Sequence, residues 1–107
     1  MRDRTGQIAV TFVSHRTDAD EAGYERAAVA MAELAAAQPG YCGVDSVRGA
    51  EGTGITISYW TDEAAALAWR QHAEHAATRE AGRARWYRRY EVAVTRIERC
   101  YQWTAPS

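Results

Sequence analysis

The sequence predicts an α+β fold of the ferredoxin-like type, βαββαβ, with one antiparallel sheet and both helices on one face. Three observations lead there. Strand-length segments rich in β-branched and aromatic residues occur at 8–15, 41–48, 55–60 and 90–103. One stretch of helical spacing lies between the first two strands and another between the last two, while Gly-rich loop residues join the middle pair. Strands 1 and 4 carry apolar residues on both faces, although helices cover only one face of such a sheet.

Residues 8–15 place Ile8, Val10 and Phe12 on one face and Ala9, Thr11 and Val13 on the other, a strand with neither face strongly polar. Thr17-Asp18-Ala19-Asp20-Glu21 then starts a helix, with Asp18 expected to cap it and Glu21 to reach back. Tyr24, Ala27, Ala28, Met31, Leu34 and Ala35 form one apolar stripe, and Pro39-Gly40 ends the element. Tyr41–Arg48 reads as the second strand. After the loop Gly49–Gly54, Ile55–Trp60 forms the third, with Ile55, Ile57 and Tyr59 opposite Thr56, Ser58 and Trp60. Thr61-Asp62-Glu63 caps a second helix running to about Glu80, with Gly82 as its stop. Arg83–Arg89 is open between loop and a further helical turn. The last strand, Tyr90–Trp103, has Tyr90, Val92 and Val94 on one parity and Ile97, Tyr101 and Trp103 on the other, which requires either a bulge or cover on both faces.

A chain of 107 residues suits one domain, here with its core over about 8–103. Alanine accounts for 22 residues, whereas Leu, Ile, Val and Phe together supply only 14. The core must therefore lean on Trp and Tyr, and a homodimer packed through the sheets, a dimeric α/β-barrel-like assembly, is the expected way to bury more. The net charge of −1 argues against a general nucleic-acid binder, despite the cluster Arg79, Arg83, Arg85, Arg88 and Arg89. Cys42 and Cys100 lack metal or redox spacing and read as free thiols. No apolar run approaches the ~20 residues of a membrane span. No hydrophobic leader follows the first residues, so a cytoplasmic protein is expected.

The second helix concentrates the chemistry. Trp69, His72, His75 and Arg79 follow one another at three- or four-residue spacing, so consecutive members neighbour on the helix surface. An imidazole there would move a proton and the indole would stack on a flat substrate. The same spacing also fits a core Trp69 with both histidines on a solvated face. Metal binding is not expected, since two histidines make half a site and His15 would have to converge on them. Trp86-Tyr87-Arg88-Arg89-Tyr90 reads either as a surface that clamps an anion or as an amphipathic turn with Trp86 and Tyr90 plugging the core. No phosphate-binding glycine loop or nucleophile elbow is present.

Ile57-Ser58-Tyr59-Trp60, Trp69, His72-Ala73-Glu74-His75, Gly82-Arg83, Trp86-Tyr87 and Tyr90, with Pro39-Gly40-Tyr41 after the first helix, resemble the antibiotic biosynthesis monooxygenase superfamily. They are closest to its small bacterial members, mostly of uncharacterised function. The resemblance spans about residues 8–103 and implies a ferredoxin-like domain that dimerises through its sheets. It also implies one of several activities, among them cofactor-independent oxygenation of aromatic polyketides and haem degradation. The quinone-forming and haem-degrading members place an Asn in or near the pocket, and this chain has no Asn. Haem degraders carry a His ten residues after the helix Trp, a position held here by Arg79. Haem degradation is therefore not expected.

The resemblance instead implies a cofactor-independent monooxygenase acting on a small aromatic phenol, enol or quinol. His72 or His75 would be the catalytic base, Tyr59, Trp60, Trp69 and Trp86 would bound the substrate, and Arg79 or Arg83 would hold its anion. No flavin or nicotinamide motif is present, so no cofactor is implied. The competing reading is a non-catalytic dimeric domain that binds a small molecule in the same pocket, and fold alone does not separate the two.

Overall fold

The computed structural model describes the backbone of residues 3–79 and 83–107, and the side chains of residues 3–73 and 85–107. Its order is β1 (Ile8–Arg16), α1 (Glu21–Ala36), β2 (Tyr41–Arg48), β3 (Thr53–Trp60), α2 (Glu63–Arg79), α3 (Arg83–Trp86) and β4 (Tyr87–Arg96). The four strands form one antiparallel sheet in the order β2-β3-β1-β4. This is the ferredoxin-like arrangement expected from the sequence.

The register shows which residues share a face. Ile8 lies opposite Trp60 and Arg96, Val10 opposite Ser58 and Val94, and Phe12 opposite Thr56 and Val92. That face carries the helices, because Ile8, Val10 and Trp60 form the buried core with Ala35 of α1 and Ala66 and Trp69 of α2. Trp60 has no exposed surface, and its indole N–H donates to Ser58 Oγ at 2.9 Å. Without that acceptor the buried N–H would go unpaired, a cost of about 1–3 kcal/mol. Ala9, Thr11, Val13, Ile55, Ile57 and Tyr59 line the other face. There the Arg4 guanidinium lies 3.7 Å over the Tyr59 ring, and the Tyr59 hydroxyl donates to Asp45 Oδ2 at 2.8 Å.

Three local details differ from expectation. Asp20 rather than Asp18 caps α1: it adopts a left-handed conformation at φ 51°, which Asp tolerates, and Oδ1 accepts from Gly23 N at 3.2 Å. Second, the β2 register shifts between Tyr41 and Gly43, so Cys42 is bulged out and Val44 falls opposite Ser58 on the helix face. Third, β4 begins at Tyr87 and stops at Arg96, not at Trp103. One backbone pair continues it, Gly6 N to Ile97 O at 2.8 Å and Ile97 N to Gln7 O at 2.9 Å. Residues 98–107 then leave the sheet, with Tyr101 92% and Trp103 76% exposed. The two parities belong to two different segments, and the one register shift between β1 and β4 lies at the opposite end, between His15 and Arg16. The expected stop at Gly82 lies outside the described residues.

Gly40 joins α1 to β2 and sets the position of the start of α2. Its φ is 83°, and a Cβ there would lie 2.6 Å from the Ala65 Cβ and 2.8 Å from Thr61 Oγ1. Its carbonyl accepts from Thr61 N at 2.9 Å. Gly40→Ala therefore combines backbone strain with overpacking and should cost on the order of 2–4 kcal/mol. Urea unfolding should show this as a lower midpoint at unchanged m-value, and a midpoint equal to the wild type would refute the packing argument.

Candidate functional site

The helix-facing side of the sheet is sealed at its Ile8 end and much less so at its Arg16 end. All members of the buried core cluster gather toward the Ile8 end. Toward Arg16 the same face carries Phe12, Tyr87 and Tyr90, while α1 contributes Tyr24. All of these are only partly buried. Phe12 stacks on Tyr90 with centroids 5.1 Å apart and meets Tyr87 edge-on at 5.8 Å. Tyr24 meets Tyr87 at 6.0 Å and Trp86 at 6.1 Å, also edge-on. The result is a partly buried aromatic cluster on the helix side of the sheet, with Trp86 of α3 at its end.

Charged groups hold its rim. Trp86 Nε1 and Arg85 Nη1 both donate to Asp20 Oδ2 at 3.2 Å, and the Trp86 bond above all holds the Asp20 carboxyl below its ordinary range. Thr17 pins α3 through its hydroxyl, which donates to Arg85 O, and its N–H, which donates to Trp86 O at 2.8 Å. Arg16 lies 3.9 Å and Arg48 4.7 Å over the Tyr24 ring, and Arg48 Nη2 donates to the Tyr24 hydroxyl at 3.2 Å. Burial, with Tyr24 beside it, pushes the Tyr87 phenol well above its usual value of 10. Tyr87 thus stays a neutral hydrogen-bond donor at any working pH.

The structure distributes the predicted residues over three places. Trp60 and Trp69 stack in the core with centroids 5.7 Å apart and planes at 21°, so both indoles serve packing first. His72 lies beside them, its ring 6.3 Å from that of Trp69, and is exposed. Nine residues, or two and a half turns, separate it from Glu63, so the two leave α2 on opposite flanks. Glu63 pairs with Arg96 of β4 at 3.1 Å, which puts His72 on the flank away from β4. Tyr59 faces the other side of the sheet from Trp69. Trp86 is part of the aromatic cluster. The side chains of His75, Arg79 and Arg83 lie outside the described residues. His15 sits on the far face of the sheet, within 3.4 Å of Thr53 Oγ1. Among the described residues no group of three His, Cys, Asp or Glu converges. A separate depression of about 740 Å³ at the Ile8 end, lined by Thr5, Arg96 and residues 98–101, is open to solvent and holds none of the predicted residues.

Sequence reasoning missed Phe12, Arg16, Tyr24 and Arg48 as site residues. They come from three separate elements, and no spacing rule links them. The available signal was that Arg16 and Arg48 each end a strand.

Residues 7–81 match the family described as antibiotic biosynthesis monooxygenase. The chain belongs to that family. An uncharacterised Bacillus subtilis protein, YqjZ, is 48% identical over 91 residues, covering 85% of this chain and 79% of that protein. Among solved structures, a conserved Methanosarcina mazei protein superposes with a TM-score of 0.74 at 10% identity, over 88% of this chain and 95% of its own. SnoaB, a cofactor-independent oxygenase from Streptomyces nogalater, superposes with a TM-score of 0.64 at 15% identity, over 96% and 100%. At such identities the superpositions establish the fold and leave the reaction to the side chains.

The Tyr87 environment gives a test of the cluster. Because its folded-state pKa is raised above 10, the native state holds that proton more tightly than the unfolded chain. The associated stability is complete below pH ~10 and is lost as pH rises from there toward the folded value. Wild-type melting temperature should thus fall more steeply between about pH 9.5 and 11.5 than that of Tyr87→Phe. Parallel curves would show Tyr87 to be an ordinary surface phenol.

Proposed function

We propose that this family member is a cofactor-independent monooxygenase acting on a small aromatic phenol, enol or quinol. The observation that carries the proposal is the partly buried aromatic cluster on the helix side of the sheet, the face that α2, the helix bearing His72 and His75, also covers. A flat substrate would lie against Phe12, Tyr24 and Tyr87 with Trp86 as end wall. His72 or His75 would remove the acidic proton. The resulting carbanion-like anion is electron-rich enough to reduce oxygen itself. In the net reaction a CH2 group and O2 give C=O and H2O, with both electrons needed to reduce the second oxygen atom coming from the substrate. The protein then has to position the ring, hold the anion and keep competing water away. Arg79, the last residue of α2, or Arg83, the first of α3, would supply positive charge, and the neutral Tyr87 hydroxyl would donate to a developing oxyanion.

The alternative is a dimeric domain that binds such a molecule without turnover, and the exposed position of His72 is the observation that favours it. Oxygen uptake across a panel of phenols and naphthols, with anaerobic and heat-killed controls, decides between them. Uptake with at least one substrate should drop ~10²-fold or more in His72→Gln or His75→Gln. His72→Gln should leave stability within about 0.5 kcal/mol, as for other exposed positions. Saturable binding without uptake across the panel would favour the alternative.

The second sheet face supports a homodimer as the working unit. Val47 and Ile55 are exposed there, and the segment beyond Ile97 carries two exposed aromatic rings away from its own sheet. The radius of gyration, 14.9 Å, exceeds the ~13 Å of a compact chain of this length. Sedimentation equilibrium at micromolar concentration should give about twice the 11.9 kDa chain mass, and a clean monomer would end this reading.

A further inference from the structure

Arg16 is an unusual arginine. Its side chain is only 9% exposed, and Nη1 is buried with no hydrogen-bond partner. Nη2 faces Glu21 Oε1 at 3.6 Å, too far for a hydrogen bond, and Glu21 is itself 73% exposed. A buried guanidinium with an unused donor is costly, and native proteins rarely leave one without a reason. The backbone around it is held from both sides. Arg16 N donates to Gly52 O at 2.9 Å, and the next residue, Thr17, is tied to Trp86 O. Gly52, at φ 85°, lets the loop come close, since a Cβ there would lie 3.1 Å from Arg16 O. The fork is therefore fixed in place while one of its two terminal nitrogens is idle and the other is loosely occupied.

We propose that the Arg16 fork is the binding site for a small aromatic carboxylate, with the Glu21 carboxylate as its displaceable stand-in. A carboxylate that displaced Glu21 from Nη2, and shifted the groups that bury Nη1, would meet both nitrogens in the planar two-bond geometry for which guanidinium is suited and ammonium is not. Glu21 can swing into water at little cost because it is exposed and makes no close bond to Arg16. The rings of Tyr24 and Tyr87 stand beside the fork and favour an aromatic body over an aliphatic one. Arg48, over the same Tyr24 ring and paired with Glu25 at 3.3 Å, adds a second positive charge at longer range. Arg4 also has an orphan nitrogen, Nη2. However, its Nη1 already donates to Gln7 Oε1 and Cys42 O, and among the described residues no acidic group stands in at its fork.

The proposal goes beyond the oxygenase reading and is tested without turnover. Benzoate is titrated by calorimetry into the full chain, with benzamide as the neutral isostere and cyclohexanecarboxylate as the non-aromatic acid. Benzoate should bind saturably with Kd on the order of 1 mM or tighter, and both controls should bind at least about fivefold more weakly. Glu21→Gln should tighten benzoate about threefold to fivefold by removing the competing carboxylate. Arg16→Lys keeps the charge but not the fork, and should weaken benzoate about tenfold. Arg16→Gln should weaken it at least as much, and if that variant fails to fold the other two still decide. Equal benzoate affinity in wild type and Arg16→Lys, no gain in Glu21→Gln, or benzamide binding as well as benzoate would each overturn the proposal. Oxygen uptake that persists unchanged in Arg16→Lys would leave the oxygenase reading standing while removing Arg16 from it.

Discussion

The stack of Trp60 on Trp69 is the contact that ties α2 to the sheet. Among the described side chains of α2, Trp69 is the only large one that is buried. Its neighbours in the core are Ala65, Ala66 and Ala73, and Leu67 is half-exposed. Truncating a buried indole costs about 3–5 kcal/mol, and an aromatic pair adds about 0.5–1.5 kcal/mol beyond the area it buries. Against a typical domain stability of about 5–15 kcal/mol, one such contact is a large share. Alanine-rich helices have little else to offer, so the helix layer is held where the two indoles meet.

That concentration explains where the aromatic cluster lies. With so few aliphatic side chains, the chain seals one end of the helix–sheet interior and not both. The Arg16 end is filled by rings and guanidinium groups, which pack against each other while keeping polar edges available. Arg16 and Arg48 against Tyr24, and Trp86 against Asp20, are contacts of this kind. They order the rim without drying it. The aromatic cluster and the incomplete apolar core are the same feature of the fold, and both follow from the composition.

Much of the architecture was legible because alternation is a local signal. The parities of Ile8–Val13 and Ile55–Trp60 correctly placed every residue on its face, and Pro39-Gly40 ended α1 where the close approach of Ala65 requires a glycine. The errors fell where tertiary bonds decide. Asp18 and Asp20 are both good caps, and only the approach of Trp86 and Arg85 to Asp20 distinguishes them. Continuing β4 to Trp103 assumed that apolar residues belong to the sheet. In fact the ladder ends once Ile97 has paired with Gln7 and Gly6. The family resemblance put Trp60 and Trp69 at the substrate, whereas the spacing alone also fitted a core Trp69, because an aromatic at such spacing has the same pattern whether it packs in a core or lines a pocket. A strand-end position did not single out Arg16, because its distinguishing property, an idle buried nitrogen, exists only in the folded chain.

The fold shared with SnoaB at 15% identity leaves the chemistry to be assigned from this chain's own side chains, and the assignment separates into two kinds of group. This chain has no Asn, so an asparagine amide cannot be what holds a substrate anion. All its basic side chains other than histidine are arginines, whose charge is fixed across the working pH range. Tyr87 is held neutral by its burial and by Tyr24. Binding of an anion at the Arg16 end would therefore be insensitive to the protein's own titration near neutrality. Proton removal, if it falls to His72 or His75, would depend on pH through an imidazole. Separating a permanent anion holder from a titrating base is a workable division of labour for a catalyst that has no cofactor to draw on, because the substrate stays bound in either protonation state of the base.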